Sequence, residues 1–232
     1  MRILIFSTDD FLPPAGGAET AIREITKRLG HIQFDLICAK LRFGASSRDT
    51  RGNVTIHRIG IGLPRVDGFL LALLGARYAY KLHQLHRYDL VWAVLASYGA
   101  FAAKQFKIKT NIPFVLTLQE GTDTNVIERR TKFIRPRYQS IFKVADALQG
   151  ISTYLTGWGR KMGYQKSLAL TIPNGVDLDV FSKVMSLEDR QALHQVWGIP
   201  DNSQVVVTLS RLVPKNGIAD LVSALALLPK QV

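Results

Sequence analysis

A single cysteine in 232 residues leaves no partner for an intramolecular disulfide, so a packed core has to hold the fold. That cysteine, Cys38, lies in an apolar run over residues 34–39 and reads as a small buried core residue, not as a nucleophile. Acidic side chains are scarce: eighteen Asp and Glu stand against thirty Lys and Arg, a formal charge of +12. Such an excess favours anionic partners, whether nucleic acid, an anionic membrane face or phosphorylated small molecules. No apolar run approaches the roughly 20 residues of a membrane-spanning helix. Residues 1–6 run straight into Asp9 and Asp10 with no cleavage-type segment, so no secretory leader is expected. With a lone thiol, this points to a cytoplasmic protein, peripheral at most on the inner face of a membrane.

Two phosphate-loop signatures are also missing. There is no Gly-x-Gly-x-x-Gly, which argues against a dinucleotide oxidoreductase, and no Gly-Lys-Ser/Thr of a P-loop. The basic stretch Arg129, Arg130, Lys132, Arg135 and Arg137 contains no acid over residues 129–137, but no recognisable nucleic-acid module surrounds it. Nucleic acid is therefore not expected, and anionic lipid or phosphate suits the cluster better. His83 and His86 are two possible ligands without a third, so surface positions are expected and no metal.

What is present is a repeated alternation of apolar strand and amphipathic helix. Residues 2–7, 34–40, 54–59, 88–95, 114–118, 146–151 and 168–172 read as strands. Residues 18–29, 68–85, 98–106 and 153–162 read as helices, the first with its apolar side at Ala21, Ile22, Ile25 and Leu29. The order predicts an α/β, Rossmann-like, doubly wound parallel sheet over residues 1–180. A linker or helix over residues 181–203 and the start of a second such domain over residues 204–232 complete the chain. There, residues 205–209 read as a buried parallel strand and residues 218–228 as a helix, with only fifteen residues left after Gly217. An incomplete second domain, either a fragment or half of a split protein, is expected.

In doubly wound sheets ligands bind beyond the carboxyl ends of the strands. Four loops there carry unusual residues. In the first, Gly16 and Gly17 allow close backbone approach, and Glu19 opens the helix that follows. The second holds Gln119 and Glu120. Gln119 can hydrogen-bond hydroxyls, Glu120 can act as acid or base if its pKa is raised, and Thr122 or Asp123 can cap a helix instead. The third is Asn174 and Gly175 in a turn, then Asp177, which can reach a ligand or cap the turn. The fourth delivers Arg211 and Lys215, a planar fork and a point charge for phosphate. The apolar segment 69–76, followed by Arg77, Lys81, His83 and Arg87, packs either on the sheet or in a lipid interface.

Gly16-Gly17-Ala18-Glu19, Ser152, Ile172-Pro173-Asn174-Gly175-Val176-Asp177 with Phe181, and Ser210-Arg211-Leu212-Val213 with Gly217 together resemble the retaining glycosyltransferases of family four, with the two-Rossmann GT-B fold. The resemblance covers the first domain and the opening of the second. It implies transfer of a sugar from a UDP- or GDP-linked donor, with retention, to a glycan, a lipid-linked acceptor or a small molecule, without a metal or other cofactor. It implies that Gly16 and Gly17 lie under the donor diphosphate and the acceptor, and that Arg211 binds the pyrophosphate with a lysine of its loop. Three departures follow. Gln119 stands where the family often has histidine, Asn216 stands where its loop lysine falls, and its paired-glutamate segment would lie beyond Val232. The chain alone is thus expected to be inactive and to need a missing C-terminal domain or partner chain. The rival expectation is a non-catalytic Rossmann-type module that binds a nucleotide, a phosphosugar or a protein.

Overall fold

The computed structural model describes residues 1–9, 16–200 and 203–228, so Asp10 and residues 11–15 of the glycine loop lie outside the described residues. The chain divides into two compact units, Met1–Gly175 and Val176–Val232. The first unit is built on an eight-stranded sheet. Its strands are β1 (Arg2–Phe6), β2 (Gln33–Ala39), β3 (Arg48–Arg51), β4 (Val54–Ile59), β5 (Leu90–Val94), β6 (Phe114–Leu118), β7 (Ala147–Gly150) and β8 (Ala169–Thr171). They lie in the order β3-β4-β2-β1-β5-β6-β7-β8, all parallel except β3, which runs antiparallel to β4. The expected doubly wound α/β sheet is therefore present.

Its central strands are apolar at nearly every position because both faces are covered. Ile3 and Ile5 of β1 point to one side, where Ala18 and Ile22 of α1 (Gly17–Arg28) join Phe34, Leu36 and Cys38 in one core. Leu4 and Phe6 point to the other side. That side is covered by α2 (Pro64–Leu85), α3 (Tyr98–Thr110), α5 (Arg135–Val144) and α6 (Thr153–Lys161), with α4 (Thr124–Arg130) leading into a short 3-10 turn, Lys132–Ile134. Cys38 is fully buried, as its apolar surroundings predict.

Three local expectations are corrected. The buried stripe of α1 runs Ala18–Ile22–Thr26, one helical face over from the expected one, and leaves Ile25 exposed. The threonine is admitted because its hydroxyl donates to the Ile22 carbonyl at 2.9 Å. His83 is buried, not at the surface. Its Nδ1 accepts the Tyr88 amide at 3.1 Å and its ring stacks on Tyr88, while burial, then the charge of Arg87, lowers its pKa. The charged edge strand β3 was not expected, because Arg48-Asp49-Thr50-Arg51 carries no apolar alternation. A polar edge of this kind discourages further strand pairing.

Helix α2 is buried along Asp67, Gly68, Leu71, Gly75, Ala79 and His83. Phe69, Leu73 and Leu74 on its other side are 59%, 70% and 46% exposed, so it is neither wholly packed nor wholly free. No helix among the described residues is long and apolar enough to cross a membrane.

In the second unit, α7 (Leu178–Phe181) is capped by Asp177, whose Oδ1 accepts the Asp179 amide at 3.1 Å. Helix α8 (Leu187–Trp197) is capped by Ser186 and ends at Gly198 with φ +62°; α9 (Ile218–Leu225) follows a 3-10 turn, Pro214–Asn216. The buried strand expected at residues 205–209 does not form: these residues take no strand pairing, and Val205 and Leu209 are 45% and 93% exposed. A parallel strand exists only through neighbours, and among its described residues the second unit holds no strand.

Candidate functional site

The strand order turns between β1 and β5, where one chain direction of winding gives way to the other. A crevice opens at the carboxyl ends of the strands at such a point. Its floor is the end of β1, Ser7 and Thr8. Gly99, at the start of α3, lies so close that a methyl there would sit 3.1 Å from the Ser7 backbone. The Thr8 and Ser97 hydroxyls are hydrogen-bonded at 2.8 Å across the crevice.

Gly16 is the N-cap of α1 and supplies no side-chain acceptor for the helix's first amides. The Glu19 side chain folds back over it, such that a methyl on Gly16 would lie 2.6 Å from Glu19 Oε2. A methyl on Gly17 would lie 3.7 Å from Gln119 Nε2, so the fold brings the glycine pair and the buried Gln119 together from β1–α1 and β6. Backbone amides, the positive end of a helix and a side-chain amide thus meet at one spot, an arrangement suited to phosphate and sugar hydroxyls.

Glu120 follows Gln119 at the wall of an open cleft of about 480 Å³, with Asp123, Asn125, Ser152 and Tyr154. Asp123 caps α4 by accepting the Asn125 amide at 2.8 Å, and Ser152 caps α6 through the Leu155 amide at 3.2 Å. The hydroxyls of Thr124 and Tyr154 are bonded across the cleft. The carboxyl of Glu120 turns inward. Its Oε1 accepts the Ala96 amide at 2.7 Å, and its Oε2 is buried with no hydrogen-bond partner. Burial pushes this carboxyl up to about 7, against the pull of the Ala96, Glu120 and Gln119 amides.

Asn174 and Gly175 close the first unit beyond β8 and are exposed. Asp177, Arg211 and Lys215 belong to the second unit. There Asp177 caps α7, Lys215 lies in the 3-10 turn, and the Arg211 carbonyl accepts from Asn216 Nδ2 at 2.8 Å. Among the described residues no group of three His, Cys, Asp or Glu side chains could hold a metal ion. The roles of Ser97, Thr8 and Tyr154 were not legible in sequence. A serine before a helix signals a cap, but nothing local pairs residue 97 with residue 8.

The architecture is that of an α/β ligand-binding domain with its crevice at the switch of a doubly wound sheet. The model of Glycosyltransferase Family 4 matches residues 15–180, and the chain belongs to that family. It is 28% identical over 249 residues to the alpha-monoglucosyldiacylglycerol synthase of Acholeplasma laidlawii, covering 97% of this chain and 59% of the relative. Its fold is similar to that of sucrose-phosphate synthase from Thermosynechococcus elongatus (TM-score 0.75, 17% identity, 98% of this chain and 60% of the other). It is also similar to that of Anabaena HepE in complex with UDP and glucose (TM-score 0.70, 21% identity, 100% and 59%). The chain thus spans about three fifths of the length of each of these proteins. The first-unit sheet is the expected Rossmann-like N-terminal domain of a GT-B protein.

Proposed function

We propose that this chain supplies the acceptor-side domain of a transferase that moves a sugar, with retention, from a UDP- or GDP-linked donor to an acceptor hydroxyl. The observation that carries the reading is the meeting of the α1 N-terminus at Gly16 and Gly17 with Gln119 in the switch-point crevice. A departing nucleoside diphosphate gathers negative charge, and fixed amides with a helix dipole stabilise it without reorganisation. Arg211 and Lys215 are the proposed cations of the donor side.

For the acceptor, we favour a lipid-linked hydroxyl presented at an anionic membrane surface. The Acholeplasma relative is named for a glucosylated diacylglycerol. Phe133 is 95% exposed amid Arg129, Arg130, Lys132, Arg135 and Arg137, and the outward side of α2 carries Phe69 and Leu73 beside Arg65 and Arg77. Apolar tips ringed by cations suit an anionic interface.

The test is to incubate the full-length gene product with radiolabelled UDP-glucose or GDP-mannose and phosphatidylglycerol vesicles that contain diacylglycerol. Label in the lipid phase with an α-linkage supports the reading. Nucleotide-sugar binding without transfer to any hydroxyl favours the non-catalytic module, and absence of both binding and transfer overturns the proposal.

A further inference from the structure

The crevice floor contains a residue in a conformation that its side chain disfavours. Leu95, the first residue beyond β5, has φ +68°, the left-handed region that bulky non-glycine residues rarely enter. Such a residue is strained and persists only where its surroundings over-determine it. The surroundings are specific. The Leu95 amide donates to the Thr117 carbonyl, the Ser97 amide donates back to the Leu95 carbonyl, both at 2.9 Å, and the Ser97 hydroxyl meets Thr8. Between them the Ala96 amide donates to the Glu120 carboxyl.

We propose that Glu120 is the positioning residue of the switch-point crevice: its carboxyl holds the Leu95–Ser97 turn in its left-handed shape and so fixes the Ser97–Thr8 bridge. This departs from the acid–base role that its residue type suggests. Its one bonded oxygen faces the backbone, and its other is shut away from solvent. The groups that face the carboxyl are the amides of Ala96, Gln119 and Glu120 itself and the Tyr138 hydroxyl of α5, which is also buried without a partner. Burial, then the Glu120 charge, raises the Tyr138 hydroxyl, so the tyrosine stays protonated and adds no charge of its own.

One carboxyl therefore sets the turn in two strengths. Ionised, it is the stronger acceptor for Ala96; protonated, it keeps the bond through a neutral oxygen but weakens it. The turn tightens as pH rises through neutrality and loosens below it. Glu120→Gln keeps the volume and the acceptor but fixes the neutral state, whereas Glu120→Ala removes the acceptor.

The inference rests on the glycosyl-transfer reading only for what enters the crevice, so its test needs no turnover. In the nitrogen-15-labelled chain, the Ala96 and Ser97 amide shifts are followed between about pH 5 and 9. Ala96 is expected to move downfield with rising pH, with a midpoint near 7, and to stay flat in Glu120→Gln. In Glu120→Ala both amides should exchange with solvent about tenfold faster or more, the consequence of losing a buried acceptor. A flat Ala96 shift in the wild type, or one that titrates equally in Glu120→Gln, overturns the assignment. If Glu120→Ala unfolds, the comparison of wild type with Glu120→Gln decides. Failure of sugar transfer leaves these readouts unchanged, so the two proposals fail separately.

Discussion

Replacing Asp67 with alanine is expected to destabilise the first unit by about 2–4.5 kcal/mol. The Asp67 carboxylate is fully buried near the start of α2 and accepts three consecutive backbone amides, Ile61 at 2.9 Å, Gly62 at 2.7 Å and Leu63 at 2.9 Å. The loop closes on it so tightly that a methyl on Gly60, at φ +130°, would lie 2.3 Å from its Cγ. Hydrogen bonds to a charged group contribute roughly 1.5–3 kcal/mol each, so three amount to about 4.5–9 kcal/mol before the burial of the carboxylate is counted. That burial, together with water entering the vacated space, offsets about half. Asparagine keeps one accepting oxygen. Placed where Oδ2 now stands, it would serve Gly62 and Leu63 while its amide nitrogen opposes the Ile61 N–H. Asp67→Asn should therefore lose about 2–3 kcal/mol, less than alanine. Urea denaturation followed by circular dichroism, with the slope compared between variants, measures both. A loss below about 1 kcal/mol for alanine, or asparagine as the worse variant, would refute the reasoning.

Two further outcomes follow from other parts of the molecule. The Glu120 pKa is raised in the folded chain to about 7 from an ordinary 4.5, so between those values the folded state holds a proton that the unfolded state has released. Stability should accordingly fall as pH rises through that window, by up to roughly 3 kcal/mol, and the fall should be smaller by that amount in Glu120→Gln. Urea midpoints at pH values on either side of the window test this, and an equal swing in both proteins would contradict it. Phe133→Asp should reduce co-sedimentation with phosphatidylglycerol vesicles about tenfold with no change in thermal unfolding, because Phe133 is 95% exposed. Undiminished sedimentation would remove this tip from the membrane reading.

Much of the first unit is written locally. The apolar runs of β1, β2, β5 and β6 announce strands covered on both faces, and the helices between them follow from period and caps. Asp123 was open to a capping role from its place alone, and it caps α4; the Ser152 cap of α6 came from the structure. Helix α4 was open only through the Asp123 cap, because its seven residues, Thr-Asn-Val-Ile-Glu-Arg-Arg, carry too short an apolar pattern to show a period. The failure at residues 205–209 is instructive in the opposite sense. A run of Val-Val-Val-Thr-Leu has strong strand character, yet propensity describes a fit to a sheet surface and cannot supply the neighbouring strands.

The sequence by itself determined the alternation of strand and helix, the burial of both faces of the central sheet, and the positions of Gly16 and Gly17 at the start of a helix and of Gln119 at a strand end, since each depends on residue type and short-range period. Only the tertiary structure decided that β1 and β5 are neighbours, that Ser97 meets Thr8, and that Leu95 turns left-handed under the Glu120 carboxyl. Those facts join residues 24 and 89 positions apart, and the burial that moves the Glu120 pKa is a property of everything packed around it. No local pattern encodes such distances, because the free energy that selects them comes from the assembled sheet.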